Sequence, residues 1–246
     1  MAEVLAVIPV RFGAQRFPGK PLATILGKPM IQWVVEGVSQ SQKIKKIIVA
    51  TDDQRIAQTC ADFDVEVVMT DSELPSGSDR VYQAIKDHPE ELILNIQGDE
   101  PLIDGSVIDT MADYMTSHQD WEMLTLGHAM DEEGLNSFNT AKIVLNKNSE
   151  AIYFSRFPIP YSRGKAVAPV EACLRHIGIY GYKKQFLKSF CESEPQLMEK
   201  MEGLEQLRAL YMGARIPVLK VDYKSWGVDT PDDLPIVEAL LRKKYG

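Results

Sequence analysis

The chain has 246 residues, 45% of them hydrophobic, and 27 Lys plus Arg stand against 35 Asp plus Glu for a net charge of −8. That content supports a substantial core in one large α/β domain, and the acidic field excludes general attraction to nucleic acid or an anionic membrane. Cys60, Cys173 and Cys191 lie far apart without a CxxC pair, so neither a disulfide framework nor a structural zinc site is expected. The start MAEVLAVIPVR has no basic region or long apolar run, and a cytoplasmic protein is expected.

Short apolar runs alternate with helical patterns, which predicts a largely parallel sheet with crossover helices. Strands are expected at 4–9, 46–50, 65–69, 92–97, 123–129, 141–145, 175–182 and 216–221. Helices are expected at 29–39, 53–62, 79–87, 106–118, 184–192, 203–212 and 231–244. From Phe154 to Leu174 the stretch FSRFPIPYSRGKAVAPVEACL has no strong period, which predicts a long loop or an excursion from the sheet. No repeat or linker divides the chain, so one domain over 1–246 is expected.

The segment following the first strand, RFGAQRFPGKP, carries Arg11, Arg16 and Lys20 with Gly13 and Gly19 and no acid. Ligands of open α/β sheets sit beyond the carboxyl ends of strands. The segment matches neither GxGxxG nor a P-loop, since Pro21 follows Lys20 where a P-loop has Ser or Thr. Glycines nevertheless let backbone N–H groups approach an anion, and Arg and Lys suit phosphate oxygens. A solvated basic surface loop is the plainer alternative.

Acidic partners occur at two other strand ends. Asp99 lies in GDEP after LILNIQ, and Asp229 lies in VDTPDD before the last expected helix. Magnesium prefers oxygen ligands and needs only one or two carboxylates beside water and substrate phosphates. Thr230 can cap the helix with Pro231 in its first position, leaving Asp229 free. A third segment, Ser76-Gly77-Ser78-Asp79-Arg80, precedes a helix for which Ser78 or Asp79 is a natural cap, while Gly77 lets backbone approach a planar base. His88, His118 and His128 sit in turn-like or surface-like surroundings. Spacing alone makes His176 a satisfied core histidine.

With IPVRFGAQRFPGKPL, GKPMIQWV, VATDDQRIA, SGSDR, NIQGDEPLI, YFSR, RHIGIYGY, LEQLRAL and VDTPDDL in this order from Ile8 to Leu234, the chain resembles the 3-deoxy-manno-octulosonate (Kdo) cytidylyltransferases, also called CMP-Kdo synthetases. It departs from them in Leu74-Pro75, where a polar pair is usual, and in SGSDR for SGTER, which keeps the functional groups. The resemblance implies a three-layer Rossmann-like nucleotide-diphospho-sugar transferase fold with a mostly parallel mixed sheet and a dimerisation excursion. Residues 1–125 would form mainly the nucleotide half and 126–246 mainly the sugar and dimerisation half.

It further implies the reaction of CTP with Kdo to CMP-Kdo and diphosphate, with Mg²⁺, for lipopolysaccharide biosynthesis. Arg11 and Lys20 would hold the triphosphate, Ser76, Gly77 and Arg80 the cytosine side, and Asp99 and Asp229 the metal. Gln97, Arg156, His176, Tyr182, Glu205 and Gln206 would face the sugar acid. The attacking group would be the anomeric 2-hydroxyl, displacing diphosphate in line without a covalent enzyme intermediate. A homodimer is implied, with Phe157, Ile159, Tyr161 and Val167 offering a contact surface. The alternatives are CMP transfer to 8-amino-Kdo or a sialic acid, and a CTP-binding sensor without turnover.

Overall fold

A computed structural model describes residues 3–13, 16–163 and 169–245. Its contacts divide the chain into two compact units, Met1–Ser117 with Ser225–Gly246, and His118–Lys224. Within the described residues of the first, β1 (Val4–Val10) is followed by the small hairpin of β2 (Thr24–Ile25) and β3 (Lys28–Pro29), and by α1 (Met30–Ser39). Then come β4 (Lys46–Thr51), α2 (Gln54–Ala61), β5 (Glu66–Met69), α3 (Gly77–Ala84), β6 (Leu92–Asn95) and α4 (Gly105–Ser117).

β1 pairs in parallel with β4 on one side and β6 on the other, and β4 pairs in parallel with β5. The order β6-β1-β4-β5 therefore reverses direction at β1, which opens a crevice at the carboxyl ends of β1 and β6. β1 and β6 are almost wholly buried, as their unbroken apolar runs require.

The second unit contains β7 (Met123–Ala129), α5 (Glu132–Asn136), β8 (Lys142–Leu145), β9 (Ala151–Ser155), β10 (Leu174–Lys183), α6 (Lys184–Glu192), α7 (Leu197–Glu202), α8 (Gln206–Tyr211) and β11 (Val218–Lys220). Its pairing is mixed: β7 runs antiparallel to β10 and parallel to β11, while β8 runs antiparallel to β10 and β9. The register of β10 slips between Ile177 and Tyr180. The chain then returns to the first unit, where a 3-10 turn at Pro231–Asp233 leads into α9 (Leu234–Tyr245). Val228, Val237 and Leu241 join Ile25, Met30, Trp33 and Leu102 in one apolar cluster.

Several sequence expectations require correction. The expected loop beginning at Phe154 yields its first residues to β9, whose β-branched and aromatic run pairs with β8. α3 begins at Gly77 because Ser76, rather than Ser78 or Asp79, is its cap. Gly203 adopts a left-handed conformation, so α8 starts three residues later than expected. His128 is buried on β7 rather than in a turn or at the surface. Val167, one of the four apolar residues expected in the contact surface, lies outside the described residues.

Candidate active site

The loop leaving β1 is closed on itself, the N–H of Gly19 donating to the Phe12 carbonyl at 2.8 Å. Gly19 has φ +72°, and a Cβ there would stand 3.1 Å from the Phe12 ring, so only glycine fits without strain. The Arg55 guanidinium covers the Phe12 ring at 3.4 Å and pairs with Asp53, the cap of α2. This fixes the loop whose far end presents Lys20.

Lys20 Nζ donates to Asp99 Oδ2 at 2.5 Å and to the Val228 carbonyl at 2.8 Å. Arg16 pairs with Asp229 at 2.9 Å, both side chains more than half exposed. Arg11 is exposed and has no side-chain partner among the described residues.

Asp99 follows Gly98, whose α-carbon is pressed onto β1: a Cβ would lie 2.1 Å from Val10 Cγ1. This close approach seats the turn after β6 on the end of β1. The Val228 N–H donates to the Asp99 carbonyl at 2.9 Å, so the returning segment lies against the same turn. Thr230 and Asp233 form the capping box of the 3-10 turn, and Asp233 Oδ2 also accepts from the Asp229 N–H at 2.9 Å. Burial opposes ionisation of Asp233, yet the N–H groups of Thr230 and Asp229 hold its pKa below the ordinary value. Capping is thus done by Thr230 and Asp233, and the Asp229 carboxylate turns to Arg16.

Ser76 Oγ accepts from the Asp79 N–H at 3.2 Å and donates to the Asp79 carboxylate at 2.6 Å. Arg80 is buried, bonded to the Thr70 hydroxyl and at 3.0 Å to Asp52. A cleft of about 480 Å³ gathers Arg11, Arg16 and Lys20 of the first loop, Ser76, Gly77 and Arg80 at the start of α3, and Gln97, Asp99 and Asp229. Arg16 is the member that motif reading left without a role, although its charge was visible in the opening segment.

The remaining expected residues belong to the second unit. Arg156 donates to the carbonyls of Glu202 at 2.9 Å and Gly203 at 3.3 Å, and to those of Phe138 and Asn139 at 3.3 and 3.4 Å. His176 Nε2 lies 2.9 Å from Thr125 Oγ1, a hydroxyl that also lies 2.9 Å from the Ile179 carbonyl and 3.2 Å from the Ile177 carbonyl. Desolvation pushes the His176 pKa down to about 3, so the ring is neutral at physiological pH.

Tyr180, which motif reading passed over, donates to Gln206 Oε1 at 3.3 Å, and its ring lies 5.4 Å from that of His176. Burial, then the charge of Glu205, raise its phenol pKa, and Arg156 opposes them. Tyr182 is fully buried between the rings of Tyr180 and Phe190, and the buried Gln206 Nε2 has no hydrogen-bond partner among the described residues. Residue parity along β10, shared by His176, Tyr180 and Tyr182, was the signal that could have found Tyr180.

The fold and cleft define an α/β nucleotidyltransferase. A family model of cytidylyltransferases matches residues 5–216, and the chain belongs to that family. It is 51% identical over 241 residues to a 3-deoxy-manno-octulosonate cytidylyltransferase of Bdellovibrio bacteriovorus, covering 97% of this chain and 98% of the relative. It is 44% identical over 244 residues to an 8-amino-3,8-dideoxy-manno-octulosonate cytidylyltransferase of Shewanella pealeana, covering 97% and 98%. A solved structure of CMP:2-keto-3-deoxy-manno-octonic acid synthetase complexed with CTP superposes with a TM-score of 0.93 at 37% identity, covering 99% of this chain and 100% of that one.

Proposed function

We propose that this protein transfers CMP from CTP to Kdo, releasing diphosphate, as a cytoplasmic step that supplies lipopolysaccharide assembly. The observation that carries the reading is the meeting of Lys20 with Asp99 and of Arg16 with Asp229 in a single cleft, beside Arg11. A polyphosphate needs such cations, and its counter-ion needs such carboxylates. Among the described residues no three His, Cys, Asp or Glu side chains gather as a metal cage. Two carboxylates still fit Mg²⁺, which keeps water and phosphate in its remaining positions. In this reading Asp99 and Asp229 hold Mg²⁺, which when bound polarises the α-phosphate and lowers the pKa of the attacking hydroxyl.

The protein's own part is electrostatic and positional. Arg11 and Lys20 stabilise the charge that grows on the phosphate oxygens, and Ser76, Gly77 and Arg80 orient the cytosine end. Gln97 lines the nucleotide cleft of the first unit, and in the second unit Arg156, His176, Tyr182, Glu205 and Gln206 bind the carboxylate and hydroxyls of the sugar acid. As the 2-hydroxyl bonds to the α-phosphorus, the bond to diphosphate breaks and the hydroxyl proton passes to solvent. His176, neutral and bonded to Thr125, serves as a hydrogen-bonding group rather than a base.

The same reading includes a homodimer through the exposed aromatic surface of Phe138 and Phe157, whose rings stack at 6.3 Å, and of Tyr161. Sedimentation equilibrium at micromolar concentration is expected to give twice the chain mass. Among the described residues no helix is long and apolar enough to cross a membrane.

The deciding experiment is diphosphate release from CTP and Mg²⁺ with Kdo, 8-amino-Kdo or sialic acid in parallel. Turnover of Kdo above the others supports the reading, and preference for the amino sugar replaces it with the activity named for the Shewanella relative. CTP binding without any turnover would make the protein a sensor.

A further inference from the structure

Glu100 follows Asp99 directly, yet its side chain is turned away from water, the residue being 7% exposed. A carboxylate removed from water needs donors in return. The Ser225 hydroxyl donates to Glu100 Oε1. The backbone of Gly227 lies against the same oxygen, for a Cβ there would stand 3.4 Å from Oε1 and 3.8 Å from the Asp99 carbonyl.

One residue further, the Val228 N–H donates to the Asp99 carbonyl at 2.9 Å, and the Val228 carbonyl accepts from Lys20 at 2.8 Å. The segment 225–228 is therefore fastened at its start by Glu100 and at its end by the backbone of Asp99 and the ammonium of Lys20. Asp229 is the next residue.

We propose that Glu100 is a positioning residue: through Ser225 it holds the returning segment against the turn after β6, and so delivers the Asp229 carboxylate to the cleft without itself touching substrate. The functional part of this inference rests on the nucleotidyltransfer reading. The mechanical part does not.

The test uses the full chain with Glu100→Ala, Glu100→Gln and Ser225→Ala. The first readout is hydrogen exchange of residues 226–230 without nucleotide or metal, and the second is the steady-state kinetics with CTP and Kdo. Glu100→Ala and Ser225→Ala are expected to speed exchange of the Val228 amide about tenfold, the worth of one hydrogen bond to a charged group. They are expected to lower kcat about tenfold or more, while KM for CTP moves less than about threefold, because Arg11 and Lys20 are untouched. Glu100→Gln keeps an oxygen that accepts from Ser225, and should restore most of both.

Unchanged protection of 226–230 in Glu100→Ala, or a Glu100→Gln as impaired as Glu100→Ala, overturns the proposal. If Glu100→Ala does not fold, Ser225→Ala carries the same two outcomes. A wild-type protein that turns over no sugar acid defeats the functional reading alone, and the exchange data still decide whether Glu100 holds the segment.

Discussion

The cleft of the first unit and the polar cluster of the second hold their side chains by opposite means. In the cleft, Arg16 and Asp229 form an exposed ion pair, and Lys20 and Asp99 a half-buried one. In the second unit, His176 hydrogen-bonds Thr125 and Tyr180 hydrogen-bonds Gln206, and fully buried Lys142 gives its three protons to the carbonyls of Ser137, Thr140 and Arg156 at 2.6, 2.9 and 2.7 Å. Exposed pairs are worth little and exchange partners easily, which suits groups that must accept a polyanion and its cation. Buried networks are costly to disturb, which holds the side chains of the second unit in one arrangement.

The sharpest way to break this contrast is to substitute each region and compare rate with stability. Asp99→Asn and Asp229→Asn are expected to lower diphosphate release about a hundred- to a thousandfold, with urea midpoints close to wild type. Lys142→Met should do the reverse to stability, costing about 3 kcal/mol because three buried carbonyls lose their donor, as read from urea unfolding. Equal stability losses in Asp99→Asn and Lys142→Met would erase the distinction.

Acid sharpens the same contrast. An unfolded histidine takes up a proton near its ordinary value of 6.5, whereas folded His176 does so only near 3. Between these values the unfolded chain binds more protons, so stability falls as pH is lowered from 6.5 toward 3. His128, lowered first by burial, contributes with the same sign. Thermal midpoints measured from pH 7 to 4.5 should decline, and His176→Gln should flatten the decline. The smallest effect is expected from Gly19→Ala, about 1 kcal/mol of left-handed strain, seen in urea unfolding with a modest rise in KM for CTP.

The cleft was more legible than the cluster. A buried strand followed by glycine and cations, or by Gly-Asp-Glu-Pro, signals a strand-end loop through local chemistry, and Lys20 and Asp99 could be singled out that way. Their pairing, 79 residues apart, could not, and neither could that of Arg16 with Asp229 across 213. Lys142 reads in sequence as an ordinary polar strand residue, and only the carbonyls that converge on it from two other loops reveal its burial. Tyr180 shares its parity on β10 with Tyr182, and its bond to Gln206, 26 residues on, could not be read from the strand. Helix limits shifted wherever a cap was misplaced, as at Ser76, because a hydroxyl's choice between neighbouring N–H groups depends on how the chain enters the helix.

The return of the chain to its first unit imposes an order on synthesis. A ribosome that has delivered β1, β6 and both of their loops has made every named residue of the cleft but Asp229. Asp229 and its Thr230–Asp233 brace emerge more than a hundred residues later, after every strand of the intervening unit. A nascent chain therefore acquires its last cleft carboxylate only when the second unit has been translated.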